Sequence, residues 1–317
     1  MKAMVFKKYG SPDVLSIEKV AKPKPKDDEV LIKIHAAAIN DWDWHIFRGS
    51  MFVNRMMFGL IKPRKQTIIG CDISGVVEDV GKNIKNFKKD DEVFGDLSDS
   101  GFGGFAEYVS APENALAMKS REMSFEEAAA TPQAGLLALQ GFQKGQIEKG
   151  QKVLINGAGG GVGTFFVQIA RDSGAELTGV DKKNKLKMIK SMGYHQVIDY
   201  RKTDFTRTGE RYDLIIDNMS TRSFLAYKRA LRPGGRCLLV GGNLALILSS
   251  SVLGRFGNRK VGLLMYRTNE GLDEMTKLFE AGRLKPVIDS TYPLSEAPEA
   301  FRHYGKGEFK GKVVITV

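Results

Sequence analysis

Asn156-Gly157-Ala158-Gly159-Gly160-Gly161-Val162-Gly163 lies near the middle of the chain, between a predicted strand and a predicted helix. Gly160 lets the backbone approach a pyrophosphate, and Gly163 lets the helix pack closely on the strand. The helix N-terminus supplies free N–H groups and positive potential for phosphates. Asp181 ends the next predicted strand, 21 residues after Gly160, close to the ~20 expected of a ribose-binding acid. The pattern predicts a dinucleotide site formed by Gly157, Ala158, Gly159, Gly160, Gly161, Val162 and Gly163.

The residues at Asp181 bear on the choice of cofactor. Its carboxylate would accept a hydrogen bond from a ribose 2′-hydroxyl and would repel a 2′-phosphate, which favours NAD(H). Lys182, Lys183 and Lys185 follow at once and could offset that repulsion. We therefore predict an NAD(P)(H) cofactor held at its ribose by Asp181, Lys182 and Lys183, with NAD(H) favoured and NADP(H) left open.

Two more turns follow predicted strands of the same region. They are Asp217-Asn218 and Gly241-Gly242-Asn243. Ligands of open α/β sheets bind beyond the carboxyl ends of the strands, so both turns are predicted to line the cofactor site, the second near the nicotinamide. An ordinary glycine-rich turn is the alternative for Gly241, Gly242 and Asn243.

The segments around the glycine loop differ in character. From residue 151 to residue 241 predicted strands and helices alternate, which indicates βαβ units and a parallel sheet. The first 120 residues contain short strands separated by Gly, Pro and Asp, as in a small β-barrel. Residues 287–289 and 312–317 are extended again, and we expect them to return to the first domain.

Composition limits the class of protein. The chain has 317 residues, 42% hydrophobic and 27% charged, near the soluble globular average, and no apolar run long enough for a transmembrane helix. Its first eight residues lack the apolar segment of a signal peptide, so a cytoplasmic location is expected. Two cysteines exclude a disulfide framework. The net charge of +11 is dispersed and not interleaved with aromatic residues, so no nucleic-acid partner is expected.

The whole layout resembles the medium-chain dehydrogenase/reductase superfamily, and in particular its zinc-independent quinone oxidoreductase-like branch. Three segments carry the resemblance: residues 37–44 (AAINDWDW), 130–140 (ATPQAGLLALQ) and 157–163 (GAGGGVG). The resemblance implies an α/β fold in which a doubly wound parallel sheet, the Rossmann nucleotide domain, is inserted after a GroES-like β-barrel catalytic domain. We place the catalytic domain at residues 1–121 and 287–317 and the nucleotide domain at 122–286.

The positions that match the zinc ligands of related alcohol dehydrogenases are Asn40, Cys71 with Asp72, and Gln133. Amide side chains are poor zinc ligands, and one thiol with one carboxylate cannot complete a catalytic set of three. We therefore expect no metal.

The resemblance places candidate catalytic residues at Asn40, Asp43 and Trp44. The Asn40 amide could donate to a substrate carbonyl or to the nicotinamide carboxamide, and a turn role is its alternative. The alternatives are support of a loop backbone for Asp43 and a core position for Trp44. His45, the only histidine nearby, is a candidate proton donor.

A Met-rich apolar insertion follows these candidates. It comprises residues 51–53 and 56–61, flanked by Arg55, Lys62, Arg64 and Lys65. Three interpretations stay open: a lid or pocket for apolar substrates, an oligomer contact, or a membrane-docking surface.

Together these features predict a zinc-independent oxidoreductase that transfers hydride from NAD(P)H to a small apolar quinone or α,β-unsaturated carbonyl compound. One alternative is an NAD(P)-dependent alcohol or carbonyl dehydrogenase on the same fold. Another is a non-catalytic, crystallin-like NAD(P)H-binding protein. Relatives pair through an edge strand of the nucleotide domain, and the apolar stretches 244–248 and 261–265 could form that edge, so we expect a homodimer.

Overall fold

The computed structural model describes residues 1–50, 52–63, 67–254 and 256–317. Its strands are β1 (Lys2–Phe6), β2 (Leu15–Lys19), β3 (Glu29–Ala38), β4 (Thr67–Ile68), β5 (Asp72–Val80), β6 (Glu92–Asp96), β7 (Tyr108–Pro112), β8 (Ala117–Met118), β9 (Lys152–Asn156), β10 (Glu176–Asp181), β11 (Gln196–Asp199), β12 (Tyr212–Asp217), β13 (Leu231–Leu239), β14 (Lys260–Leu263), β15 (Ile288–Pro293) and β16 (Lys312–Thr316). Its α-helices are α1 (Asp41–Arg48), α2 (Phe52–Phe58), α3 (Phe125–Ala129), α4 (Pro132–Gly145), α5 (Gly161–Ile169), α6 (Lys183–Ser191), α7 (Phe224–Ala230), α8 (Leu244–Leu253), α9 (Leu272–Glu280) and α10 (Ala297–Lys306).

Contacts divide the chain into two compact units. Unit 1 comprises Met1–Leu136 and Thr268–Val317, and unit 2 comprises Leu137–Arg267. This division differs from the bounds drawn from the sequence, because 122–136 and 268–286 belong to unit 1. Helix α3 packs against β3, β5 and β16, and α9 packs against β8, so both short segments share the core of unit 1.

Unit 2 contains a parallel sheet. Its strand order is β11-β10-β9-β12-β13-β14, the 3-2-1-4-5-6 order of dinucleotide-binding folds. The predicted alternating, doubly wound sheet is therefore confirmed. Asn156, which ends β9, pairs with Val180 of β10 and with Asp217 of β12. The loops after these three strands consequently emerge at one edge, where the strand order reverses.

Unit 1 is built from two sheets. One has the order β2-β1-β4, and the other runs β15-β16-β3-β5-β6-β8, with β7 also paired to β3. Strand β16 lies antiparallel to β3 and parallel to β15, so the C-terminal strand returns to the first unit as predicted. Short strands with one buried face enclose a core that includes Phe47, Phe105 and Phe301.

Local signals explain where two helices begin. Ser124 Oγ accepts a hydrogen bond from the Glu127 N–H at 3.1 Å, and the Glu127 carboxylate accepts one from the Ser124 N–H at 3.0 Å. This capping box starts α3. Pro132 cannot supply the N–H that would continue α3, so a second helix, α4, begins at Pro132.

One predicted edge segment has a different structure. Residues 244–248, which we expected to be extended, begin helix α8. The Asn243 side chain accepts from the Leu246 N–H at 2.9 Å. This N-cap starts a helix in an apolar stretch whose Leu and Ala residues favour a helix. The second predicted segment, 261–265, overlaps β14, which does lie at the edge of the sheet.

The helices of the described ranges are too short or too polar to cross a membrane.

Candidate active site

The glycine loop of unit 2 connects β9 to α5. Gly157 has φ +85°, a left-handed conformation suited to glycine. A Cβ on Gly163 would lie 2.4 Å from Ala158 Cα, so this position needs glycine for close packing. At Gly160 the nearest atom to an added Cβ is the Gly157 carbonyl oxygen at 3.5 Å. The backbone at Gly160 therefore borders open space.

The same loop has the donors that a pyrophosphate needs. Gly160 is the N-cap of α5 and supplies no side-chain cap, so the N–H groups of the first turn keep their hydrogen-bonding capacity. The helix dipole adds positive potential there. The loop therefore fits a dinucleotide: it combines a helix terminus without a side-chain cap with open space over a glycine.

Asp181 lies beneath this loop and is 7% exposed. Its carboxylate accepts hydrogen bonds from the Gly159 N–H at 2.8 Å and the Lys182 N–H at 2.7 Å. The buried Lys185 ammonium lies 3.7 Å from the same carboxylate. Lys183 is exposed. The sequence predicted a run of lysines beside Asp181, and in the structure the one that lies against its carboxylate is the buried Lys185.

The turn after β12 combines a structural residue with a free acceptor. Asp217 is fully buried and accepts hydrogen bonds from Asn156, Met219, Ser220 and Tyr227 at 2.8–2.9 Å. These bonds hold the turn and leave Asp217 a positioning role. Asn218 Nδ2 donates to the Asn156 carbonyl at 3.0 Å. Asn218 Oδ1 is buried without a donor in the part of the chain that the structure describes, as an acceptor for a cofactor hydroxyl would be.

The turn at Gly241, Gly242 and Asn243 follows β13. Gly241 and Gly242 have φ of +74° and +136°. Because the Asn243 side chain caps α8, its amide oxygen is already used. A cofactor contact at this turn would therefore be made by the backbone of Gly241 and Gly242.

Unit 1 contains a buried polar cluster that joins four chain segments. The Lys312 ammonium, at the start of β16, donates to Asn40 Oδ1 and, at 3.4 Å, to Asp72 Oδ2. Asp72 Oδ1 accepts from the Gln133 N–H at 3.2 Å, in the first turn of α4. Asp43 accepts from the Asn40 N–H at 2.9 Å. We name Asn40, Asp43, Asp72, Gln133 and Lys312 the polar cluster.

The carboxyl groups of the polar cluster are strongly perturbed. Burial, with a smaller contribution from the charge of Asp72, raises the pKa of Asp43 to about 7. Burial also raises the pKa of Asp72 to about 7, against the opposing effect of Lys312. Burial raises the pKa of the Cys71 thiol well above its usual range, so this thiol is a poor nucleophile.

The polar cluster does not fit a zinc ion. Asn40 and Gln133 offer amides, and the Lys312 cation already contacts Asn40 and Asp72. Over the described ranges, no three His, Cys, Asp or Glu side chains are grouped as metal ligands.

Trp44 and His45 have local roles. Trp44 packs edge-on against Phe47 at 5.5 Å and beside Tyr304 at 6.0 Å. These are the contacts of a core residue, so they lend no support to the catalytic role predicted for Trp44. His45 Nδ1 is hydrogen-bonded to Ser50 Oγ at 2.7 Å, at the end of α1.

The apolar insertion includes helix α2 and has an exposed side. Met56, Leu60 and Ile61 are exposed, Ile61 by 91%, whereas Phe58 packs against Phe102. Met51, Arg64 and Lys65, which we assigned to this segment, lie outside the described residues. The interpretations as lid, contact or membrane surface all stay open.

A groove of about 460 Å³ lies along β11, and its lining includes Lys183, Asp199 and Tyr212. Of the predicted cofactor residues, Lys183 lines this groove, and none of the glycine-loop residues does.

Sequence reasoning missed the roles of Gln133 and Lys312. Gln133 was considered only as a failed zinc ligand, and Lys312 was assigned only to a strand. The available signal was a lysine at the start of a largely apolar final strand.

The chain matches two family models. Residues 26–121 match the alcohol dehydrogenase GroES-like domain, and residues 192–315 match a zinc-binding dehydrogenase domain. The first match lies within unit 1 and confirms the predicted GroES-like domain. The second match covers parts of both units and agrees with their folds.

Three known proteins illustrate the similarity. The 2-methylene-furan-3-one reductase of Solanum lycopersicum is 32% identical over 99% of this chain and 79% of its own. The chloroplast envelope quinone oxidoreductase homolog of Arabidopsis thaliana is 31% identical over 99% of this chain and 98% of its own. The solved quinone oxidoreductase of Coxiella burnetii is 28% identical, with a TM-score of 0.89 over 100% of this chain and 99% of its own.

Proposed function

The chain belongs to the quinone oxidoreductase-like branch of the medium-chain dehydrogenase/reductase superfamily, and from this we infer that it transfers hydride from NAD(P)H to a quinone or an α,β-unsaturated carbonyl compound. It is an NAD(P)H-dependent oxidoreductase. The observation that carries the inference is the glycine loop at the reversal point of a 3-2-1-4-5-6 sheet, in a chain that aligns end to end with reductases of these compounds.

Residues of unit 2 bind the cofactor. The N–H groups of the first turn of α5 bind the pyrophosphate, and Asn218 Oδ1 accepts a hydrogen bond from a cofactor hydroxyl. NAD(P)H, when bound, supplies the hydride. Asp217 holds the turn that presents Asn218.

Residues of unit 1 bind the substrate carbonyl. When a hydride adds to the carbon β to a carbonyl, the π electrons move to oxygen and an enolate forms. A hydrogen-bond donor fixed before the reaction stabilises that negative charge without reorganising. The polar cluster contains an amide that can serve as such a donor, and a proton from water completes the reduction.

We propose that NADH serves at least as well as NADPH. Support comes from the Asp181 carboxylate at the carboxyl end of β10, which would accept from a 2′-hydroxyl and repel a 2′-phosphate. Lys185 reduces this repulsion because it lies 3.7 Å from the carboxylate, so the preference is expected to be moderate.

We also propose that the enzyme works without zinc and as a homodimer. The case against zinc is the chemistry of the polar cluster, whose amides and lysine replace metal ligands. The case for a dimer is the edge position of β14 and the exposed apolar residues of the adjoining α8, among them Leu244, Leu248 and Val252.

The function is tested by following the oxidation of NADH and NADPH at 340 nm with a panel of quinones, enones, saturated ketones and alcohols. We expect turnover with quinones or enones and none with saturated ketones. Turnover restricted to alcohols and saturated ketones would indicate the dehydrogenase alternative. Cofactor binding without turnover of any acceptor would indicate a non-catalytic protein.

A further inference from the structure

One donor of the polar cluster has no partner in the described part of the chain. Gln133 is 6% exposed, and its side-chain nitrogen Nε2 is buried with no acceptor among the residues that the structure describes. A buried donor without an acceptor carries the full cost of its desolvation, and native proteins keep few such groups. Its retention at this place points to a ligand that supplies the missing acceptor.

The other polar groups of the cluster are engaged within the protein. The Lys312 ammonium is only 4% exposed and donates to both Asn40 and Asp72. Because Lys312 holds Asn40 Oδ1, the Asn40 amide is fixed, and its nitrogen makes a long contact of 3.5 Å with the Ala38 carbonyl. These groups position one another rather than await a ligand.

The backbone of Gln133 is fixed. It is the second residue of α4, directly after Pro132, whose ring restricts the backbone. Its N–H donates to Asp72 Oδ1, and Asp72 is in turn bound to Lys312. The residue that carries the free donor is therefore anchored through the polar cluster.

We propose that Gln133 Nε2 is the hydrogen-bond donor to the carbonyl oxygen of the substrate, an inference that rests on the proposed function. Hydride adds to the β carbon, the cofactor is oxidised, and the electron pair of the C=C bond becomes the enolate charge on the oxygen that Gln133 contacts. Gln133 transfers no proton; water supplies it. Lys312, Asp72 and Asn40 are positioning residues.

A neutral amide also sets the class of substrate. It stabilises developing negative charge less than a zinc ion does, so it suits carbonyl compounds whose charge is delocalised by conjugation. The inference thus favours enones and quinones over isolated ketones and alcohols.

The test compares Gln133→Leu with Gln140→Leu, a matched control on the same helix. Gln140 is also buried, but its side-chain amide has two partners. Its nitrogen donates to the Arg267 carbonyl at 2.8 Å, and its oxygen accepts from the Arg267 N–H at 2.9 Å. We expect Gln133→Leu to lower kcat/KM for an enone or a quinone by about 10- to 150-fold, the scale of a hydrogen bond to a charged group. The loss should fall on kcat, and the KM for NADH should change by less than about twofold.

Thermal stability gives an independent readout. Gln133→Leu removes an unpaired donor and should leave Tm unchanged or higher, whereas Gln140→Leu breaks two hydrogen bonds and should lower Tm with little change in kcat/KM. A lowered Tm for Gln133→Leu would mean that its amide has a structural partner, and would overturn the inference whatever the activity.

The outcomes also separate the inference from the function. Suppose that the wild type reduces enones or quinones and that Gln133→Leu lowers kcat/KM by less than about threefold, well below the loss of about 10-fold or more expected from the hydrogen bond. The role of Gln133 is then refuted and the function stands. If the wild type binds NADH, seen by fluorescence, but reduces no acceptor, the function fails and the role of Gln133 fails with it.

Discussion

Replacing Asp181 with serine is expected to move the cofactor preference toward NADPH. In the wild type the carboxylate accepts from the Gly159 and Lys182 N–H groups at 2.8 and 2.7 Å, and Lys185 lies 3.7 Å away. Serine would remove the negative charge and one of the acceptor oxygens. Lys185 and its neighbour Lys182 would then face a 2′-phosphate without an opposing carboxylate.

The size of the change follows from the bonds that are lost. A hydrogen bond to a charged group is worth about 1.5–3 kcal/mol, which corresponds to about 10- to 150-fold in a ratio of kcat/KM values. The buried Lys185 already offsets part of the carboxylate charge, so we expect a shift near the lower end of this range.

The assay measures kcat/KM for NADH and NADPH with one acceptor at one salt concentration. The matched control is Asp199→Ser, because Asp199 pairs with Asp181 at the end of the neighbouring strand β11 and accepts from the Arg201 N–H at 3.1 Å. The control should change the ratio by less than about twofold, under ~0.5 kcal/mol. If Asp181→Ser does not fold, Asp181→Asn, which keeps one acceptor oxygen, takes its place.

The reasoning would be refuted by a wild type that already prefers NADPH, together with a shift of less than about twofold in Asp181→Ser. In that case the carboxylate serves only to hold the glycine loop, and the lysines alone set the preference.

Further outcomes follow from the same structure. Gly163→Ala should destabilise the protein by ~1–3 kcal/mol or more, because its Cβ would lie 2.4 Å from the Ala158 backbone. Gly160→Ala should fold normally but raise the KM for the cofactor. If Gly163→Ala and Gly160→Ala changed stability and cofactor KM equally, the separate roles of packing for Gly163 and cofactor binding for Gly160 would be contradicted. Elemental analysis should find no stoichiometric zinc, and EDTA should leave activity unchanged; about one zinc per chain would show that a metal site was missed. Light scattering at micromolar concentration should give the mass of a dimer, and a monomer mass would count against β14 as an interface. Asp43 has a folded-state pKa of about 7 against an ordinary 3.8, so its contribution to stability is full below pH 3.8 and is lost as the pH rises through 7. Relative to Asp43→Asn, the wild type should therefore lose ~2 kcal/mol of unfolding free energy between pH 5 and pH 8, and parallel pH profiles in urea unfolding would disprove it.

Several features were predictable because their signals are local. The glycine loop, the acid after β10 and the alternation of strands and helices occupy consecutive residues, so periodicity along the chain indicated the parallel sheet. The capping box at Ser124 lies within four residues of sequence. The cytoplasmic location stays a prediction.

Other features had no local signal. Helix α1 is rich in aromatic residues and was missed. Its first turn is stabilised by the buried Asp43, which also accepts from the Gly70 N–H at 3.0 Å, 27 residues away in sequence. Residues 244–248 are apolar throughout, which hides the helical period; the N-cap at Asn243 and the helix-favouring Leu and Ala residues make them a helix.

Local signals in the chain were enough to predict the nucleotide-binding fold, because the dihedral preferences of glycine and the period of apolar residues act over a few neighbouring positions. The polar cluster was decided only by tertiary structure. Lys312 and Asn40 are 272 residues apart and meet because the final strand β16 pairs with β3. Which polar side chains pair, and which one is left with a free donor, depends on the register of strands far apart in the chain.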